Sequence, residues 1–138
     1  MSIRKASLLI ISITILACCQ NAKNASSVSL NMNDLASQKL GDGYKCELNS
    51  DQLKNLCSVQ SKNKSGGYGV RFVVFETSTG NLIWEDNIDK GTVAWYDENR
   101  LALFYTPGTM QQGQTNDDYT YILDLSTKEK VHKSKLTD

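Results

Sequence analysis

The chain has 138 residues, of which 15 are basic, 15 are acidic, 40% are hydrophobic and one is histidine. A formal net charge of zero excludes a strongly basic nucleic-acid-binding protein, and the chain has no acidic tail. The length is sufficient for one domain with a modest core and insufficient for two.

The N-terminus has the pattern of an export signal. Arg4 and Lys5 give a positive start, and residues 6–17 follow without a charge. A helix over this stretch would reach only about 18 Å, which is short of the ~30 Å hydrocarbon core of a bilayer. The pattern therefore predicts a signal peptide over residues 1–17 rather than a transmembrane helix, with a buried strand or core helix as the alternative.

The end of the apolar stretch, Ile15-Leu16-Ala17-Cys18, resembles the lipobox of bacterial lipoproteins. The resemblance implies cleavage between Ala17 and Cys18, and lipid chains such as palmitate on the Cys18 thiol. It also implies a cell-envelope protein that is anchored to a membrane by lipid, at the outer membrane if the cell is Gram-negative, because the residue after Cys18 is not aspartate. Cys19 is predicted to be either a free thiol or a second acylation site.

The mature chain divides into a tether and one folded part. Residues 18–27 are the lipidated cysteine and a small, polar tether, and residues 28–138 are predicted to form a single antiparallel β domain. Loss of Arg4 and Lys5 with the signal leaves 13 basic against 15 acidic residues, a net charge of −2. The predicted fold is mainly β, a small antiparallel meander, sandwich or barrel-like domain with one short helical turn.

Apolar alternation at Val28, Leu30 and Met32 marks the predicted start of the β domain. The stretch from Val70 to Phe75 is rich in β-branched and aromatic residues, so we expect it to be the central strand. The long loop between residues 107 and 118 is the predicted contact surface. Further strands are predicted at residues 44–48, 82–84, 92–96, 101–105, 119–125 and 130–135, and a helical turn at 50–56.

Cys46 and Cys57 are predicted to form a disulfide. They lie 11 residues apart in a chain that is bound for an oxidising compartment. Closing such a loop would stabilise the fold by roughly 3 kcal/mol on the chain-entropy model. The alternatives are two buried free thiols or half of a metal site, although the only histidine, His132, is remote in the sequence.

Two segments, VVFETSTGNLIW and YILDLSTKEKVH, share one hairpin pattern. Each has a strand, an acidic residue, Ser-Thr, a turn and a returning strand, with Thr79 and Thr127 48 residues apart. Together with the strands between them they resemble a blade of a β-propeller. The resemblance implies a four-stranded meander only, because a closed propeller needs four or more blades.

The sequence offers little material for catalysis, and we expect no catalytic, cofactor-binding or metal-binding residues. His132 is predicted to be a solvated edge residue. Glu85, Asp86 and Asp89 are predicted to be turn charges rather than a glycosidase pair, and residues 116–118 lack the alternating ligands of a calcium loop. The strand aromatics are predicted to be mostly core, with Val93 and Trp95 on one face and Ala94 and Tyr96 on the other: Trp84, Trp95, Tyr96, Phe104, Tyr105, Tyr119 and Tyr121.

These patterns favour a lipid-anchored, non-catalytic envelope protein that binds a protein partner or has a structural role. The alternative is an inhibitor of a lytic enzyme, because small lipid-anchored proteins that inhibit lysozyme resemble this chain at Tyr44-Lys45-Cys46, Ser65-Gly66-Gly67-Tyr68 and Lys90-Gly91. The spacing of Cys46 and Cys57 departs from that family, whose bridge joins distant parts of the domain. A carboxylate hydrolase is the third hypothesis.

Overall fold

The computed structural model describes residues 32–64 and 66–136. Residues 32–40 form a helix, α1, and the strands follow in two consecutive groups of four. Short 3-10 turns at Asn116–Tyr119 and Lys133–Lys135 flank the last two strands. The strands are β1 (Lys45–Leu48), β2 (Lys54–Lys62), β3 (Tyr68–Glu76), β4 (Leu82–Ile88), β5 (Gly91–Trp95), β6 (Arg100–Tyr105), β7 (Thr120–Asp124) and β8 (Lys130–His132).

The described strands form two antiparallel meanders that pack on each other. Sheet A has the order β1-β2-β3-β4, and sheet B has the order β5-β6-β7-β8. The two sheets stay separate, so these strands do not close into a barrel. The prediction of a mainly β, sandwich-like fold is confirmed.

The main core lies between the sheets because alternate residues of each strand face inward. Val70, Phe72 and Val74 of β3 contribute from sheet A, and Leu101 and Leu103 of β6 contribute from sheet B. All five side chains are almost completely buried. Two of the partly buried side chains that pack against this core are Val93 and Trp95, which confirms the predicted alternation in β5.

The other face of sheet A is covered by α1. Met32, Ala36 and Leu40 lie on one side of the helix and pack against the outward-facing Val73 and Phe75. Strand β3 therefore has buried residues on both faces, and it lies in the interior of sheet A, between β2 and β4. The alternation that predicted a β start here was wrong at its one described position, Met32, while Val28 and Leu30 lie outside the described residues.

The C-terminal end of α1 is fixed to sheet A by polar contacts. The Nη2 of Arg71 donates a hydrogen bond to the carbonyl oxygen of Leu40 at 2.7 Å, which satisfies one of the free carbonyls at the helix end. Lys39 forms an ion pair with Glu85 of β4. These contacts fix the position of the helix on the sheet.

The helical turn predicted for residues 50–56 is wrong. Gln52 has a positive φ of 61°, which interrupts a right-handed helix, and the residues from Lys54 onward belong to β2. The Oδ1 of Asn49 accepts a hydrogen bond from the N–H of Lys54 at 2.9 Å. The Oδ1 of Asp51 accepts one from the N–H of Leu53 at 2.8 Å. Side-chain acceptors therefore stabilise a tight turn between β1 and β2 instead of helical bonds.

Asn49 also connects the two sheets. Its side chain is almost fully buried, with 3% of its surface exposed, and its Nδ2 donates to the carbonyl oxygen of Glu98 at 2.7 Å. Nearby, the Nε1 of Trp95 donates to the carbonyl oxygen of Glu47 at 3.1 Å. Polar contacts of the β1–β2 hairpin thus fix it against the β5–β6 hairpin, at the edge of the core.

No helix among the described residues is long and apolar enough to cross a membrane.

Candidate functional site

Three loops meet at one end of the sandwich, which we call the loop end. They are residues 63–64 and 66–67 between β2 and β3, residues 89–90 between β4 and β5, and residues 106–119 after β6. The Nδ2 of Asn63 donates to the carbonyl oxygen of Asp89 at 2.8 Å, and the N–H of Thr106 donates to the carbonyl oxygen of Lys90 at 2.9 Å. Hydrogen bonds between the loops therefore hold this end together.

An open cavity of about 670 Å³ lies among these loops. Its lining carries amide, hydroxyl and charged groups of both signs. The lining residues are Asn63, Lys64, Asn87, Asp89, Lys90, Tyr105 and Thr106.

The ammonium groups of Lys64 and Lys90 are available to a ligand. The ion pairs of the described residues involve Lys39, Arg100 and Lys133 instead. Within the described part of the chain, neither cavity lysine therefore has a carboxylate partner, so the first cavity presents two free cations.

A second cavity of about 500 Å³ also has Tyr105 in its lining. It is lined mainly by aromatic side chains, together with one cation and one carboxylate. The lining residues are Tyr105, Asp118, Tyr119, Tyr121 and Lys130. Both cavities have Tyr105 in their lining, and we call the two cavities together the Tyr105 groove, with a polar half and an aromatic half.

The aromatic half of the groove is a chain of perpendicular rings. The ring centroids of Tyr105 and Tyr121 are 5.5 Å apart with an interplanar angle of 83°, and those of Tyr121 and His132 are 4.9 Å apart at the same angle. The Nζ of Lys130 lies 5.3 Å and 5.7 Å from the centroids of Tyr105 and Tyr121. It also donates to the Oη of Tyr105 at 2.9 Å, so edge-to-face, cation–π and hydrogen-bonding contacts fix the rings.

Strand register explains why these residues share one face. Tyr121 pairs with Leu103 on one side and with His132 on the other, and Leu123 pairs with Lys130. All five side chains therefore face the same way as the inter-sheet core. The strand residues of the aromatic half therefore lie on the inner face of sheet B, and the 3-10 turn at Asn116–Tyr119 completes the lining.

The segment from residue 106 to 119 is long, yet contacts within it and to Lys133, directly after β8, order it. Asp118 closes a capping box with Thr115, whose N–H it accepts at 2.7 Å. The Oε1 of Gln114 accepts a hydrogen bond from the hydroxyl of Tyr119. The Oδ1 of Asp117 forms an ion pair with the Nζ of Lys133 at 2.8 Å. The hydrogen bond within this pair raises the pKa of Lys133.

The structure confirms the predicted disulfide and leaves the predicted lipidation site outside its range. Cys46 and Cys57 are direct partners across β1 and β2 and are joined by a disulfide. Cys57 is buried against α1, whereas Cys46 is exposed. Ala17, Cys18 and Cys19 lie outside the described residues.

His132 is not the solvated residue that the sequence predicted. It lies on an edge strand, but its ring packs on Tyr121 and its Nε2 is 2.8 Å from the carbonyl oxygen of Asp118. Its Nδ1 lies 2.7 Å from the Oγ of Ser134. Both ring nitrogens therefore have protein partners, and the imidazole positions Tyr121 and the 106–119 segment.

The carboxylate cluster is arranged differently from the predicted turn. Glu85 and Asp86 belong to β4 and only Asp89 lies in the following turn. Neighbouring strand residues face opposite sides, so Glu85 pairs with Lys39 on the helix side while Asp86 faces the core side. A pair of carboxylates on one face, as glycoside hydrolysis requires, does not form from Glu85 and Asp86.

The polar half of the groove was missed by the sequence analysis. Asn63, Lys64 and Asn87 are ordinary surface residue types, and only the Gly-rich loop at 62–67 and the Lys90-Gly91 pair drew attention to this region. The polar half forms where separate loops contact each other, and such contacts leave no pattern in the sequence. In the described part of the chain, no group of three histidine, cysteine or acidic side chains could hold a metal ion.

Comparison with known proteins adds no relative from which a function could be transferred. Neither a protein-family model, a curated protein nor a solved structure matches the chain.

Proposed function

We propose that this protein is a lipid-anchored, non-catalytic component of the bacterial cell envelope that binds a protein partner through its loop end. The lipobox-like Ile15-Leu16-Ala17-Cys18 supports the anchor. Two or more acyl chains at Cys18 would make membrane attachment stable, since one chain alone binds only marginally. The observation that carries the binding role is the ordered, exposed loop end.

Exposed side chains at the loop end are of the types that protein interfaces favour. Tyr68 and Met110 have 61% and 45% of their surface exposed, although both carry large apolar groups. Tyrosine and methionine are enriched at protein interfaces relative to other surfaces. The internal hydrogen bonds of the 106–119 segment lower the ordering cost that binding would otherwise incur.

Charge supports a partner with an acidic surface. The mature chain is predicted to carry a net charge of −2. Lys64 and Lys90 nevertheless place unpaired positive charge at the loop end, which would steer an acidic patch to it.

The experiment is site-specific photo-crosslinking of the full-length protein in living cells. A photo-reactive residue at Met110 should give a discrete adduct of higher mass, while the same residue at Ser78, an exposed position in the β3–β4 turn, should give none. A partner that is identified from the Met110 adduct should then bind the purified protein and lose affinity on Lys90→Glu. Identical adducts from both positions, or no adduct from Met110, would contradict the proposal.

The anchor has a separate test. Cys18→Ala should leave the signal peptide uncleaved by the lipoprotein peptidase and should prevent lipid labelling, whereas Cys19→Ala should leave both unchanged. Unaltered processing and membrane fractionation of the Cys18 variant would contradict the lipobox interpretation. In a Gram-negative host, the wild type should fractionate with the outer membrane.

Inhibition of a lytic enzyme is the second candidate, and one contact supports it. A Cβ on Gly67 would lie 3.2 Å from the Cγ of Lys90, so the Gly66–Tyr68 loop packs directly on the stem of that lysine. Two parts of the lysozyme-inhibitor pattern, Gly66–Tyr68 and Lys90, therefore lie side by side. The positive charge of Lys90 could bind the two catalytic carboxylates in the cleft of a glycosidase. Purified protein should then inhibit lysozyme at stoichiometric amounts and Lys90→Ala should relieve the inhibition; no inhibition at excess removes this candidate.

A further inference from the structure

We propose that the Tyr105 groove is a binding site for a neutral oligosaccharide chain, an activity additional to the protein contact proposed for the loop end, although Lys90 belongs to both surfaces. The inference rests on the shape of the groove, its mixture of charges and the fixed positions of its rings. It does not depend on whether a protein partner exists.

The shape of the groove suits an extended ligand rather than a compact one. Two open cavities of about 670 and 500 Å³ both have Tyr105 in their lining. Each volume lies in the range of roughly 300–1,000 Å³ that is typical of small-molecule sites. A chain of linked sugar rings could lie across Tyr105 and place successive units in the two halves.

The mixture of charges decides against a strongly charged ligand. The cations Lys64, Lys90 and Lys130 line the two cavities together with the carboxylates Asp89 and Asp118. A polyanion would meet two carboxylates and a polycation three ammonium groups, with a desolvation cost for each mismatched charge. Hydroxyl groups of a neutral sugar can donate to the carboxylates and accept from the ammonium groups.

The two halves match the two chemical faces of a sugar. Amide side chains of Asn63 and Asn87 and the hydroxyl of Thr106 line the polar half, where ring hydroxyls would find donors and acceptors. Tyrosine rings line the other half and offer apolar surface to the C–H faces of a sugar. An entirely apolar ligand would leave the amides and charges of the polar half unsatisfied.

The groove is formed before a ligand arrives, which reduces the entropic cost of binding. The Oη of Tyr105 accepts from Lys130, and the hydroxyl of Tyr119 donates to Gln114. In the polar half, the Nδ2 of Asn87 lies 3.4 Å from the Oδ1 of Asp89. Side chains that are already fixed lose little further freedom on binding.

The test is calorimetric titration of the full-length, detergent-solubilised protein with two neutral probes, chitohexaose and cellohexaose, and with heparin as a polyanion. At least one neutral probe should bind. Tyr105→Ala and Lys90→Ala should each weaken its affinity by about tenfold or more, which corresponds to ~1.4 kcal/mol. Tyr68→Ala is the matched control outside the groove and should change the affinity by less than about twofold.

Tyr105 also packs on the core, so its variant needs a separate control. Circular dichroism should confirm folding, and Asn87→Ala, at an exposed position, should weaken binding without an effect on stability. Absence of binding to both neutral probes, or salt-sensitive binding to heparin alone, would overturn the saccharide inference. Either result would leave the protein-partner proposal intact, because the Met110 crosslink tests that proposal separately.

Discussion

Gly80 and Lys128 adopt the same left-handed backbone conformation at the same position of two hairpins, with φ of 73° and 61°. The N–H of each donates at 2.8 Å to the carbonyl oxygen four residues earlier, in Glu76 and Asp124 respectively. The two residues are 48 positions apart, which is also the spacing of Thr79 and Thr127. The β3–β4 and β7–β8 hairpins therefore share one turn geometry as well as one sequence pattern.

The same offset relates the faces of the two sheets. Phe75 contacts α1, and its counterpart Leu123 faces sheet A in the main core. Phe72 faces sheet B, and its counterpart Thr120 lies on the outer side of sheet B because strand faces alternate. The sheets thus stack in the same sense, like successive repeats, and α1 covers the outer face of the first. The resemblance to propeller blades stays a prediction.

Lys128→Gly is expected to stabilise the protein. A non-glycine L-residue in the left-handed region costs about 1–2 kcal/mol, and glycine removes that cost at the expense of a more flexible unfolded chain. We therefore expect a net gain of up to about 1 kcal/mol in the free energy of unfolding, measured by urea denaturation. The reciprocal variant Gly80→Ala should destabilise by about the same amount. A loss of stability for Lys128→Gly would show that the lysine side chain contributes more than its backbone conformation costs.

Asn49→Ala is expected to destabilise the fold by about 2 kcal/mol, because it leaves the N–H of Lys54 and the carbonyl oxygen of Glu98 without their side-chain partner. Urea denaturation measures the change. Asn55→Ala is the matched control, since the buried Oδ1 of Asn55 has no hydrogen-bond partner in the described structure. Its effect should stay within about 0.5 kcal/mol. Equal losses for the two variants would contradict a special role for Asn49 in joining the sheets.

Removal of the Cys46–Cys57 disulfide should lower the free energy of unfolding by roughly 3 kcal/mol, because the bridge restricts the unfolded chain. The double variant Cys46→Ala and Cys57→Ala should unfold at a lower urea concentration than the oxidised wild type. A reductant should shift the wild type toward the variant and leave the variant unchanged. A wild-type midpoint that does not respond to full reduction would contradict this account.

Much of the β architecture was predictable because strand patterns are local. The β-branched and aromatic residues between Val70 and Phe75 indicated a central strand, and the cysteine spacing indicated the disulfide. Helix α1 was missed because Met32, Ala36 and Leu40 recur at intervals of four, while the preceding Val28 and Leu30 suggested a period of two. Met32 fits both patterns, and the period of two led to the incorrect prediction of a strand.

The groove was less predictable because it depends on contacts between distant segments. Tyr105 was recognised as a strand aromatic and assigned mainly to the core, which is correct for one side of its ring. Its exposure to the groove follows from how far sheet A extends over sheet B, and no local pattern records that distance. The position of Lys90 on Gly67 likewise depends on the mutual arrangement of two loops.

Asp97 should make the stability of the protein depend on pH in the acidic range. Burial alone would raise the pKa of Asp97, but hydrogen bonds from the Arg100 side chain and from the N–H groups of Asn99 and Arg100 outweigh burial and lower it. The unfolded chain therefore binds this proton more readily than the folded protein does. The stabilising contribution is complete above the unfolded pKa, near 3.9, and is lost as the pH falls through the lower folded pKa.

Asp97→Asn should therefore be less stable than wild type at pH 7, and the difference should shrink as the pH falls to about 2. Because the Asp97–Arg100 pair is partly exposed, we expect only a small favourable coupling between the two side chains at pH 7 in a double-mutant cycle with Arg100→Gln. Unfolding midpoints at both pH values give the cycle directly. The coupling should vanish at low pH, when the carboxyl is protonated. Protonation of Asp97 removes its attraction to the guanidinium, whereas its hydrogen bonds with backbone N–H groups of the β5–β6 turn can persist. A coupling that is independent of pH would therefore contradict a charge interaction between Asp97 and Arg100.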